Sequence, residues 1–363
     1  MSNVIRLTFP SRSEQRAASF AALLETFAHH RREDGDVFWL KENAEVLNIL
    51  ECTGQTVPEE ALRTYDAFYA GIEDRLEFFP QYYRFLLSIC LDLEALGLKG
   101  DKGAGLARWI ANEGLIDSEL SDLQRGEAAR LLTRIGVSPG ADMTLINDRL
   151  SAFAARSATF TVPNKKAAYE LTHIVFYLSK YGRRDPQLPA ETIQSLKFAG
   201  ILAFIDCNFD LLAEISVAMR YCGETPPAAW EEAVAIATAS FTVAEGENAV
   251  RQDDYHDYLV CNWALSAAGQ KPFAASLRPG PVSFHADRGQ AAPLREMSEI
   301  MHGLTARRSS DWHLMRDYVC DNVSAESADI LLQAEATTDC FEDFFAGFAR
   351  TGMRGSSAGA ISA

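Results

Sequence analysis

The sequence reads AAYELTHIVFYLSKYG at residues 167–182 and NFDLLAEISVAMRYCG at residues 208–223, two helical stretches that each end at a glycine. A glycine after the last turn can adopt the left-handed conformation that closes a helix. Four more stretches have this form, and they end at Gly54, Gly97, Gly136 and Gly269. The six glycines are 39 to 46 residues apart. We therefore predict a repeat of about 43 residues, in the range of helical-repeat proteins.

Apolar residues recur at fixed distances from these glycines. With each glycine taken as position 0, position −4 holds Leu50, Leu93, Leu132, Leu178, Met219 and Leu265. Position −8 holds Val46, Ile89, Ala128, Ile174, Ile215 and Cys261. A step of four keeps both positions on one helix face, which we expect to be buried.

Second helical stretches lie between the glycine-terminated ones, and strand patterns are nearly absent. These second stretches run near residues 59–71, 102–113, 141–155, 190–204 and 227–241. Prolines often mark where they start, as is typical of a first helical turn. The pattern predicts an all-α fold of about six antiparallel hairpins, forming an irregular α/α toroid or a compact α-solenoid.

The hairpin repeats cover about residues 37–269, and the rest of the chain flanks them. A leading helix is expected at 13–32, and a Pro/Gly-rich loop follows the repeats at 271–293. We predict one domain, residues 1–350, with a helical cap at about 293–350. The tail, residues 351–363, is small and polar, which favours disorder.

Charge, hydropathy and cysteine usage limit the partners and the compartment. The 363 residues include 34 basic and 50 acidic side chains, for a net charge of −16. Such a surface repels phosphates, so nucleic acid is excluded as a partner. No stretch approaches the roughly 18 apolar residues of a membrane span, so we expect no membrane. Seven cysteines without a CxxC pair indicate free thiols in the cytoplasm.

Polar residues occupy two further positions. Position −9 holds Glu45, Ser88, Glu127, His173, Glu214 and Val260, and position −13 holds Lys41, Arg84, Leu123, Tyr169, Asp210 and His256. They share a face that lies away from position −4. If one helix of each hairpin forms the inner wall, these side chains face a common cavity. The alternative is a solvated outer face.

The cavity interpretation selects a small set of candidate ligand-binding residues. They are Glu170, His173, Asp210, Glu214 and His256. Imidazole and carboxylate groups suit a divalent metal such as zinc, iron or manganese, and all of the set except Glu170 are candidate metal ligands. The same groups suit an acid–base pair.

A competing ligand set rests on two Glu-x-x-His motifs. They are Glu170–His173 and Glu299–His302, and with two further helical carboxylates they match ferritin-like di-metal bundles. Six hairpins are incompatible with a plain four-helix bundle, which disfavours this reading.

No phosphate-binding loop and no nucleophile elbow occurs, so no reaction is predicted and enzyme activity stays open. The first hypothesis is a scaffold that binds a protein partner along a concave face. The alternative is a small-ligand-binding protein, or a metal-assisted enzyme, whose site is the inner cavity.

One region resembles known sequences. The run ELTHIVFYLSKYG, followed by DLLAE and then YH, is similar to a pattern in uncharacterised bacterial all-α proteins, grouped as domains of unknown function. It covers roughly Lys166–Gly269. The stretches VFWLKENAEVLNILECTG and FFPQYYRFLLSICLDLEALG resemble a similar group. The resemblance implies a helical fold and a bacterial origin, and it assigns no activity to any residue.

Overall fold

A computed structural model describes residues 11–140, 142–250 and 252–351. In chain order its α-helices are α1 (Arg12–Glu25), α2 (Val37–Cys52), α3 (Glu59–Leu62), α4 (Asp66–Ala70), α5 (Ile72–Phe78), α6 (Tyr83–Leu96), α7 (Lys102–Asn112), α8 (Asp122–Arg134), α9 (Met143–Ala154), α10 (Lys165–Leu178), α11 (Ala190–Ile205), α12 (Phe209–Tyr221), α13 (Ala228–Ser240), α14 (Tyr255–Ala267), α15 (Pro293–Leu304), α16 (Trp312–Asn322), α17 (Ala325–Thr337) and α18 (Phe341–Ala349). The all-α prediction is confirmed. From residue 352 onward, the tail expected to be disordered lies outside the described residues.

Short elements complete the list. A π-helical turn, Thr26–His30, continues α1. Single 3₁₀ turns occur at Arg63–Tyr65, Pro80–Tyr82, Leu115–Ser118, Ser157–Thr161, Gly246–Asn248 and Thr305–Arg307. Strands β1 (Thr242–Glu245) and β2 (Val282–His285) form an antiparallel pair in which Val243 faces Phe284. The Pro/Gly-rich loop therefore contains a strand that the sequence pattern did not indicate.

The repeat glycines end helices in the way that their spacing predicts. All six have positive φ, from +65° at Gly54 to +113° at Gly97. In five of the six, the glycine N–H donates to the carbonyl three residues back. The next N–H then donates to the carbonyl of position −4, as from Leu98 to Leu93 at 2.9 Å. This is the Schellman motif. Helix α10 ends earlier, with Lys180 and Tyr181 both at positive φ.

The residues expected to be buried are buried, with one exception. Eleven of the twelve side chains at positions −4 and −8 are less than 9 % exposed, and Leu265 is half-buried. The eleven buried side chains belong to one continuous apolar core. Burial of a Leu-sized side chain stabilises a fold by roughly 1.5–3 kcal/mol, so this core holds the hairpins together.

The six glycine-terminated helices are neighbours in chain order. Helices α2, α6, α8, α10, α12 and α14 each contact the next, and α14 contacts α2. Helices α7, α9, α11 and α13 each pack against the two members of this set that flank them in sequence. Helix α14 also contacts β2. These are the neighbours that an α/α toroid requires, and the toroid remains our proposal for the arrangement.

The C-terminal helices pack on one side of this assembly. Helix α11 contacts α15, α17 and α18, and α16 packs against α15, α17 and α18. Among the described residues, no helix is long and apolar enough to cross a bilayer. All seven cysteines are free.

Candidate functional site

A cavity of about 480 Å³ lies among the six glycine-terminated helices. Each of them contributes its position −9 residue to the lining: Glu45, Ser88, Glu127, His173, Glu214 and Val260. Residues at an equal distance from the glycine therefore line one space, as expected if the six helices run in the same direction. Cavities of this size are typical of small-ligand sites.

The lining changes in character along the helices. Position −13 contributes Lys41, Arg84, Tyr169 and His256. Position −6 lies two helical turns after position −13 along each helix, and it contributes Asn48, Arg130, Phe176 and Trp263. Tyr177 and Tyr181 lie at that end as well. One end of the cavity thus carries ionisable groups, and the other combines aromatic rings with one arginine and one amide.

His256 joins the last helix of the set to the first. Its Nδ1 lies 2.5 Å from Oε1 of Glu45, a contact between α14 and α2. Its Nε2 lies 3.8 Å from Asp210 and 3.9 Å from Glu214. Desolvation lowers the pKa of His256, but Glu45, Glu214 and Asp210 outweigh it and raise the pKa to about 10. The imidazole is therefore a cation at neutral pH.

His173 is held differently, because its Nδ1 lies 2.7 Å from the carbonyl oxygen of Tyr169. A carbonyl only accepts, so Nδ1 carries the hydrogen and, in the neutral ring, Nε2 keeps its lone pair. No described residue donates to or accepts from that Nε2. An imidazole with this tautomer and a free lone pair can accept a proton from a bound molecule.

Glu214 lies between the two histidines. One oxygen is 3.8 Å from His173 and also accepts from the Thr172 hydroxyl at 2.5 Å, while the other faces His256. Burial raises the pKa of Glu214, although both histidines and the Thr172 bond oppose the rise. Nearby, the Tyr169 hydroxyl donates to Asp210. Hydrogen bonds thus join α2 to α14 and α10 to α12, and charge contacts of 3.8–3.9 Å from His256 to Asp210 and Glu214 link the two pairs.

These contacts bear on the metal hypothesis. The Nδ1 atom of His256 and one carboxylate oxygen each of Asp210 and Glu214 are already engaged in hydrogen bonds within the protein. Within the three described stretches, no group of three or more His, Cys, Asp or Glu side chains is arranged to hold a metal ion. The metal site stays a prediction without geometric support. Glu299 and His302, from the competing di-metal set, are both exposed on α15.

Aromatic side chains form the opposite end. Tyr181 stacks on Trp263 with ring centroids 5.6 Å apart, and Phe176 lies 4.6 Å from Trp263. The Arg130 guanidinium lies 4.6 Å from the Tyr181 ring, a cation–π contact. Tyr181 has φ +55°, a conformation that costs a non-glycine residue roughly 1–2 kcal/mol. The early end of α10 therefore places this ring over Arg130 at an energetic cost.

Ion pairs connect the helices beyond the aromatic end of the cavity. Glu51, at the end of α2, pairs with Arg134 of α8 at 3.1 Å and with Arg183 after α10 at 2.5 Å. Arg134 also pairs with the fully buried Asp92 of α6 at 2.5 Å. This network joins four of the six segments at the C-terminal ends of their helices.

Most of the residues proposed from sequence lie together. His173, Glu214 and His256 line the cavity, whereas Asp210 is not part of the lining and lies 3.8 Å from His256. Glu170 is half-buried and does not line it. The residues at position −6 were not proposed. Their spacing of three from position −9 was the available signal, because such a step stays on one helix face.

The structure is that of an all-α protein with a mixed polar and aromatic cavity lined by its six glycine-terminated helices. A family model described as "Domain of unknown function (DUF6902)" matches residues 1–351. The chain belongs to this family, in agreement with the predicted membership of a domain of unknown function. No curated protein and no solved structure matches the chain significantly.

Proposed function

We propose that this protein binds a small organic molecule inside the cavity lined by α2, α6, α8, α10, α12 and α14. The observation that carries the proposal is that all six helices contribute the same register position to a single space of about 480 Å³. Small-ligand sites are typically concave, with aromatic walls and a few convergent polar groups. His173, Glu214 and His256 supply the polar groups, and Phe176 and Trp263 supply the wall.

The scaffold hypothesis has less support. A protein partner would need an open concave face, whereas α14 contacts α2 directly through His256 and Glu45. The space between these helices, about 480 Å³, has the size of a small-ligand site, whereas a protein partner needs a contact surface of roughly 800 Å².

Filling the cavity tests the proposal. Ala44 lines it from α2, so Ala44→Trp would occupy it, while Ala152→Trp adds the same ring at an exposed position on α9. Purified protein is analysed for released small molecules by mass spectrometry and screened against a metabolite library by thermal shift. Compounds that stabilise the wild type and Ala152→Trp should not stabilise Ala44→Trp.

A second cavity-filling variant is included in case Ala44→Trp does not fold. Val260→Phe narrows the same cavity from α14, and circular dichroism identifies which variants fold. The proposal is wrong if bound compounds stabilise both filling variants as much as the wild type. It is equally wrong if no compound binds or is released from the wild type.

A further inference from the structure

Arg130 is a buried cation that forms no ion pair with any described carboxylate. The residue is 5 % exposed, yet its side chain makes no hydrogen bond and no ion pair with any described residue. Its contacts are the faces of Tyr181 at 4.6 Å and Tyr177 at 5.9 Å. Burial of an unpaired charge costs several kcal/mol, so native proteins nearly always pair such groups. Cation–π contacts offset only part of this cost.

A second unsatisfied donor lies at the same depth. Asn48 occupies position −6 of α2, as Arg130 does of α8, and both line the cavity. Asn48 is 8 % exposed, and its Nδ2 has no partner among the described residues. Unpaired buried donors are rare in folded proteins. Here a guanidinium and an amide both lack an acceptor in one small space.

Most of the other charged side chains of the cavity are already paired. Arg84 bonds to Glu119 and Glu127, and Glu45 bonds to His256. Asp92, on the helix between those of Asn48 and Arg130, accepts from Arg134 and Ser88. The described lining residues include three Lys and Arg side chains. Arg84 is paired, whereas Arg130 and the exposed Lys41 lack a carboxylate partner. A protein with net charge −16 thus leaves positive charge free at this site.

We infer that the ligand is a small organic carboxylate, or another oxyanion of similar size, whose anionic group binds to Arg130 and Asn48. The inference rests on the proposed function and specifies its ligand class. Arginine presents a planar set of donors that fits a carboxylate in a bidentate manner. The apolar part of the ligand would lie against Phe176, Tyr181 and Trp263. The missing acceptor for Asn48 Nδ2 would be the second carboxylate oxygen.

Benzoate and benzamide provide a matched pair of probes, because they share a ring and differ in charge. Isothermal titration should show that the wild type prefers benzoate. Arg130→Met should weaken benzoate binding about 10- to 100-fold, the usual effect of losing a charged hydrogen bond. Arg108→Gln is the control, because Arg108 is exposed on α7 and also lacks a partner among the described residues. It should leave binding unchanged.

The melting temperature separates a binding role of Arg130 from a structural role. Without anion, Arg130→Met should melt at the same temperature as the wild type or higher, because it removes a desolvated charge. Asn48→Leu should likewise fold and weaken benzoate binding. A fall in melting temperature or a failure to fold for Arg130→Met would overturn the inference, as would equal binding of benzamide or unchanged binding in Arg130→Met.

The two proposals fail in different ways. If the wild type binds no benzoate at millimolar concentration, the oxyanion inference is wrong. The cavity proposal then still depends on whether released or library compounds distinguish Ala44→Trp from Ala152→Trp. If neutral compounds bind and Ala44→Trp excludes them, the cavity is a ligand site without the anion specificity inferred for Arg130.

Discussion

His256 should give the folded state a distinct dependence on pH. Its pKa is about 10 in the folded protein and about 6.5 in an unfolded chain, so the folded state binds the additional proton between these values. The stability that this proton supplies is full below about pH 6.5 and is lost as the pH rises to about 10. Replacing His256 removes this contribution and flattens the profile.

The measurement is the free energy of unfolding in urea at several pH values from about 7 to 10. The wild type should lose more stability over this range than His256→Asn does. His302→Asn is the matched control, because His302 is exposed on α15 and makes no ion pair with any described residue. Its profile should follow the wild type. Equal slopes for the wild type and His256→Asn would show that Glu45, Asp210 and Glu214 do not hold a proton on this ring.

Residue type and spacing were sufficient to predict part of the cavity lining. His173, Glu214 and His256 share the inner face because steps of four along a helix are fixed by its geometry. The role of Arg130 could not be predicted in this way. An arginine on a helix is usually exposed or paired, and its lack of a partner depends on which side chains the other five helices bring to it.

At the element scale, the repeat glycines differ in backbone conformation from a glycine within a helix. Gly97 has φ +113°, and a Cβ added there would meet no atom within 4 Å. Gly105 lies inside α7, has no positive φ and is equally unobstructed. Gly97→Ala should therefore destabilise the protein by about 1–2 kcal/mol through backbone strain alone. Gly105→Ala should stabilise it by about 0.5–1 kcal/mol, since alanine is the better helix former.

Thermal and urea unfolding of the two alanine variants provide the comparison. Because the substitution is the same and neither site is crowded, opposite signs isolate the backbone conformation as the cause. Two changes of equal sign would contradict the assignment of Gly97 as a left-handed helix cap.

Helix ends were predictable where a local signal marks them, and other elements were not. Helix α12 ends two residues before its glycine, and α7 lies within the predicted stretch near 102–113. The stretch near 59–71 was expected to be one helix, but the 3₁₀ turn Arg63–Tyr65 and then Gly71 divide this part of the chain. Strands β1 and β2 have four residues each and lie far apart in sequence. A pairing of that kind depends on tertiary contacts that no local pattern records.

At the scale of the whole molecule, the contact between α14 and α2 is one that a ring needs and a long open solenoid does not have. In an open array, each repeat contacts only its neighbours, and the terminal repeats open independently. In a ring, α2 and α14 stabilise each other although about 200 residues separate them, and Glu45 with His256 is one of their links. A change on α2 should then loosen α14.

Hydrogen exchange followed by mass spectrometry tests this coupling between distant helices. Glu45→Gln replaces a carboxylate by a neutral amide, so it weakens the bond to His256 with little change in size. Amide exchange should become faster in both α2 and α14, because local opening is governed by the contacts that each helix retains. Glu60→Gln, at an exposed position on α3, is the control and should leave α14 unchanged. If Glu45→Gln accelerates exchange in α2 alone, α14 does not depend on this contact and the proposed ring closure is wrong.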